Sequence, residues 1–156
     1  MQFSLYAGLL LLSSLISVAL AGYASHRPSD KVMRAFLYLM IGVFCWSCTS
    51  FFEAISTSIG YKLFWSVVSV IDLVVPVLFL YFVLQFTRNG DRIPKKAVYL
   101  LLIIPVISFI LSATFPIHGL VWPKIYLVDT ILAGFSLFYV HGAWYWVEII
   151  YSLLLY

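Results

Sequence analysis

Three carboxylic acids sit where the surrounding residues leave them little company: Glu53, Asp72 and Glu148 each lie within or against an apolar run. An ionisable group in such a setting is costly, and it is kept to bind a cation, carry a proton or hydrogen-bond a neighbouring helix. Asp72 is the sharpest case, because it is the one charge in the 24 residues from Leu63 to Phe86. Pro76 follows four residues later and, in a helix, cannot donate to the Asp72 carbonyl, so the backbone opens beside the acid and Pro76 becomes a candidate hinge. Trp46 and Glu53 are seven apart and share a helix face, which suits an outward-facing pocket with Trp46 as floor, or an interfacial charge partnered with Lys62. His118 and Trp122, four apart, suit a ligand lid or a reporter of external pH, or else an interfacial anchor. Cys45 and Cys48 form a Cys-Trp-Ser-Cys run inside an apolar helix, away from the solvent-accessible helix start that a redox pair needs, and read as packing. His118, His141 and Glu148 match no metal-ligand spacing, so neither a metal nor another cofactor is called for. Without a Ser–His pair, a usably spaced Asp pair or a metal motif, intramembrane catalysis is not the expectation either.

The elements that hold these residues are set by composition. The chain is 64% hydrophobic and 10% charged, with mean hydropathy +1.08, more apolar surface than a compact core of 156 residues can hide. Lipid requires backbone hydrogen bonds to close within each segment. The apolar runs do not alternate as barrel strands do. The fold class is therefore all-α, a polytopic transmembrane helix bundle in contact with the lipid bilayer. The net charge of +3 comes from short basic loops and does not point to nucleic acid.

One transmembrane domain, residues 1–156, is expected, with no soluble domain and with spans near 3–23, 35–53, 63–86, 97–117 and 140–156. In the first, Ser13, Ser17 and Ala21 form a small-residue packing face; Ala19-Leu20-Ala21 also resembles a signal-peptide cleavage site, but the basic n-region is missing. Pro105 is expected to kink the fourth span and is the second candidate hinge. Residues 118–141, with Pro123, Lys124 and Asp129, read as a mixed aromatic connection. Arg27, Lys31, Arg34, Arg88, Arg92, Lys95 and Lys96 follow spans one and three, against Lys62 and Lys124 after spans two and four. That bias puts loops 25–34 and 87–96 in the cytoplasm and the N-terminus outside a multi-pass protein of the plasma membrane. Trp65, Trp122, Trp144 and Trp146 cluster at the expected outer boundary. The run from Ala143 to Tyr156 spans roughly 21 Å as helix against a core of about 30 Å, which reads as a fifth, partial span of something longer.

From Trp46 to Tyr151 the chain resembles the N-terminal seven-helix sensor region of prokaryotic membrane histidine kinases. The resemblance rests on Trp46 and Glu53, then Lys62-Leu63-Phe64-Trp65, then Pro76, Phe82 and Phe86-Thr87-Arg88. It continues through Pro105, Ile117-His118-Gly119-Leu120-Val121-Trp122, Gly142-Ala143-Trp144-Tyr145-Trp146-Val147 and Tyr151-Ser152. The chain departs from the pattern at Phe115, where Asn is usual, at Ala143, where Pro is common, and at Glu148, where His is common. The resemblance implies a sensory input region that detects a small ligand or membrane stimulus and passes a helix displacement to a cytoplasmic output. No phospho-acceptor or ATP-binding region stands in this sequence, so kinase activity would belong to a separate module, and a homodimer is implied by analogy. Trp46, Glu53, Asp72, His118, Trp122 and Glu148 are the candidate ligand contacts. The alternatives are a small membrane helper or assembly protein and an ion-transporting subunit using Asp72 and Glu148.

Overall fold

The computed structural model describes residues 5–27, 29–87, 95–130 and 134–156. Helix α1 (Leu5–Ser25) is followed by α2 (Lys31–Ile55), and the Asp30 side chain caps α2 by accepting from the Val32 amide at 2.8 Å. The third span is one apolar stretch, Ile59–Phe86, built from α3 (Ile59–Ser69), a 3-10 turn (Val70–Leu73) and α4 (Val74–Phe86). The fourth comprises α5 (Lys95–Leu101) and α6 (Ile103–Ala113), with a short α7 (Phe115–His118) beyond it. An antiparallel hairpin, β1 (Lys124–Thr130) with β2 (Gly134–Val140), leads into α8 (Ala143–Leu155). Among the described residues, four helical stretches are long and apolar enough to cross a membrane, and α8 is a shorter apolar helix.

The helix bundle expected from composition is present, and the hairpin is an addition to it: residues 124–130 and 134–140 pair as strands where the sequence suggested a mixed aromatic connection. Two boundaries also move. Helix α2 starts at Lys31, inside the stretch taken for a loop, because Asp30 supplies its cap. Helix α3 starts at Ile59, so Lys62 is a helical residue, 2% exposed, rather than a loop cation. Its Nζ donates to the Glu53 carbonyl at 3.0 Å, a second donor on a last-turn carbonyl of α2 that the Ser56 amide also reaches at 3.3 Å.

Packing follows the small residues. Helix α1 lies on α2 through Ala7, Leu10, Ser14, Ser17 and Ala24, all buried, and Ser13 meets Ser47 hydroxyl to hydroxyl at 3.1 Å. Cys45 and Cys48 are free thiols, half-buried on α2. Each proline has a local effect. Pro76, buried in the first turn of α4, leaves the Asp72 carbonyl without its usual donor, and the chain tightens there into 3-10 geometry, with the Val74 amide reaching the Ile71 and Asp72 carbonyls. Pro105 does the same for Leu101, at the break between α5 and α6. The Leu101 carbonyl is taken up by the Tyr151 hydroxyl of α8 at 2.7 Å, a neighbouring helix replacing the lost bond.

The core sits under the hairpin, where Val70 and Leu73 of the 3-10 turn meet Val121 and Trp122, with Leu111, Phe115, Tyr139 and Trp144 packed around them. Gly119 holds this connection at φ 61, the left-handed conformation that closes α7. One hydroxyl in the interior is an orphan: Ser112 is fully buried and has no hydrogen-bond partner among the described residues. Ser112→Ala should therefore raise stability by about 1 kcal/mol, the lower end of the cost of an unsatisfied buried group. Thermal melting in detergent reads this directly, and a lowered midpoint would contradict it.

Candidate functional site

A recess of about 240 Å³ opens beneath the hairpin, between the end of α2, the 3-10 region of the third span and α8. Glu53, Asp72, Trp122 and Glu148 line it, four of the six residues singled out in the sequence. They come from distant parts of the chain: the last turns of α2, the 3-10 turn, the connection before β1, and the second turn of α8. Asp72 and Glu148 line the same small space, and among the described residues neither has a cationic partner. One oxygen of Glu148, Oε1, is buried with no hydrogen-bond partner among the described residues. Ser108 of α6 stands beside that carboxyl group and accepts from Trp144 Nε1 at 2.8 Å.

Glu53 is held by the hairpin. The Tyr139 hydroxyl donates to Glu53 Oε1 at 3.0 Å and is hydrogen-bonded to the Ser66 hydroxyl of α3. Burial, and after it the Glu53 carboxylate, push the Tyr139 phenol well above its ordinary value, so it remains a protonated donor across physiological pH. The expected pairing of Glu53 with Lys62 takes a different form: the amine goes to the Glu53 backbone carbonyl, and the carboxylate goes to Tyr139.

The other two sequence candidates lie elsewhere. Trp46 is 38% exposed on the surface of α2 and is not among the residues lining the recess. It shares a helix face with Glu53, but seven residues of rise is about 10.5 Å, and the recess ends at Glu53. His118 closes the α7 turn: its Nδ1 accepts from the Leu120 amide at 3.0 Å. Its Nε2 therefore carries the proton and donates to Thr114 Oγ1, also at 3.0 Å. Both ring nitrogens are thus spent within the turn. His141 stacks on Tyr145, ring centroids 3.7 Å apart. Pro76 lies just below the recess and Pro105 beside the α5–α6 break, each at an irregular step in its span.

Sequence reasoning passed over Ser66, Ser69, Tyr139 and Tyr145, which also line the recess. Three of these had a legible signal. Ser66, Ser69 and Asp72 repeat every three residues along one face, and Tyr145 stands three before Glu148. Tyr139 had none, because its placement depends on a hairpin.

The structure defines a multi-pass membrane protein whose helices enclose an acid-lined recess at the end of the bundle that carries the hairpin. The chain belongs to the family described as the N-terminal 7TM region of histidine kinase, whose model matches residues 9–156. Regions of that family are membrane sensory input domains, not catalytic ones. Neither a curated protein nor a solved structure matches the chain.

Proposed function

We propose that this region senses a small ligand in the acid-lined recess and passes the event as a helix displacement to a kinase module in the cytoplasm. The observation that supports this reading is the recess itself: an occupant touches α2, the 3-10 turn, the hairpin and α8 at once. An occupant that fits one packing of these elements better than another shifts their equilibrium by its difference in affinity. The 3-10 turn is the element best suited to yield, since its hydrogen bonding is already irregular. Carboxylates from three helical elements, facing the rings of Trp122, Tyr139 and Tyr145, favour a small organic cation over a neutral or anionic ligand. In this reading the hairpin end faces outward at the plasma membrane, and loops 25–34 and 87–96 face the kinase.

The test joins the chain to a histidine kinase core and measures autophosphorylation in membranes. Glu53→Gln, Asp72→Asn, Glu148→Gln and Trp122→Ala are each expected to shift basal or stimulated output by about tenfold, the scale of an allosteric coupling of 1–2 kcal/mol. Expression should be unaffected. Wild-type output in all four variants would remove the recess from the mechanism. A second reading, ion transport, is favoured only by the proximity of Asp72 and Glu148. Proton or sodium flux into liposomes that is lost in Asp72→Asn would support it in place of sensing.

A further inference from the structure

A second and larger recess, about 630 Å³, lies on the other side of Trp122, between the start of α3, α7 and the hairpin. We infer that it is a binding site for a single-chain amphiphile with an anionic head group. The site is separate from the acid-lined recess and does not depend on the sensory reading.

The walls argue for the chain. Ile59 and Leu63 of α3, Phe115 of α7, and Leu127 and Leu137 of the hairpin face the space. These are side chains that give an alkyl group contacts on several sides. The volume falls within the range of small-molecule sites, roughly 300–1,000 Å³, and suits one alkyl chain rather than two.

The head group follows from charge. Lys124, the first residue of β1, lines the recess, is exposed, and has no ion-pair partner among the described residues. His118 also lines it, but both of its ring nitrogens are engaged within the turn. Among the described residues no carboxylate lines it. The acids Glu53, Asp72 and Glu148 all face the other recess. Trp122 therefore separates two spaces of opposite polarity. It is 9% exposed, 5.7 Å from the Phe115 ring on the amphiphile side and 5.0 Å from the Tyr139 ring on the acid side. A chain inserted against Phe115 presses on the same indole that packs on Tyr139.

The experiment uses the whole chain in phosphatidylcholine nanodiscs with a diazirine-bearing dodecanoate, and maps the adducts by mass spectrometry. Adducts should concentrate on residues 115–127 and 137, and unlabelled dodecanoate should compete them away while dodecyltrimethylammonium does not. Lys124→Glu should cut labelling of those residues by about five- to tenfold, one exposed ion pair lost and a repulsion gained, with labelling of the other helices unchanged. Labelling spread evenly over the lipid-facing helices would overturn the site. So would equal competition by the cationic surfactant. A diazirine phosphatidylglycerol that labels the same residues as strongly would overturn the single-chain assignment, since the source would then be a bilayer lipid. Lys124 is on an exposed strand position outside the core, so the charge reversal leaves the fold intact, and unchanged far-UV circular dichroism confirms that the comparison is valid.

Discussion

Gly142→Ala should destabilise the hairpin end of the bundle by on the order of 3 kcal/mol or more, as overpacking against an unyielding neighbour does. The reason is contact, not backbone conformation. Gly142 has φ −87 and ψ −178, values that alanine adopts readily. A Cβ at this position would lie 2.1 Å from the Leu120 carbonyl oxygen, 2.6 Å from its carbon and 2.9 Å from the Gly119 oxygen. All three are backbone atoms, so no side-chain rotation relieves the clash. The neighbours are also tied in place: the Gly142 amide donates to the Val121 carbonyl at 2.8 Å, and the Trp144 amide to the Leu120 carbonyl at 3.0 Å. Admitting a methyl group breaks at least one of these bonds and lifts the start of α8 away from the connection that carries Trp122. Melting in detergent, together with limited proteolysis between residues 119 and 142, measures the effect. A variant that melts like the wild type would show that the close approach does not exist.

Tyr139→Phe is expected to cost about 2 kcal/mol, the value of a hydrogen bond to a charged group plus the burden on the groups it leaves behind. The variant keeps the ring that packs on Trp122 and removes only the hydroxyl shared by Glu53 and Ser66. A double-mutant cycle isolates the bond: in a Glu53→Leu background the same substitution should cost much less. Equal costs in both backgrounds would mean that the pair is not coupled. The phenol also sets the sign of an alkaline dependence. Its folded-state value is raised, so the stability that it contributes is complete below the unfolded value of about 10 and is lost as pH climbs above that value. The wild type should therefore lose stability above pH 10 by a component that Tyr139→Phe lacks.

Much of the bundle was legible because lipid leaves the backbone few choices. The apolar runs identified the helices, and an acid inside such a run drew attention to Asp72 and Glu148, which line the recess. Helix starts were harder. Asp30 is a recognisable cap, yet Lys31 and Arg34 made the stretch look like a basic loop. Lys62 was read as a boundary marker because amines seldom lie inside, and here it turns inward to the Glu53 carbonyl at the end of α2. The hairpin escaped detection because residues 124–140 mix aromatic, branched and polar side chains without a strict alternation, and no Asn-Gly or Asp-Gly pair punctuates them. Missing the hairpin meant missing Tyr139, the residue that holds Glu53 in position. Trp46 shows the limit of helical-face arguments, which fix the direction of a side chain but not its depth along the axis.

The bond from Tyr151 to the Leu101 carbonyl has a mechanical consequence. It pins the last helix to the one point where the fourth span has lost its own hydrogen bonding, so a change of angle there and a change of tilt in α8 are a single motion. Because Glu148 lies one turn earlier on α8, whatever moves that acid also pulls on the pin, and the strain reaches the far end of the α5–α6 rod without crossing the third span.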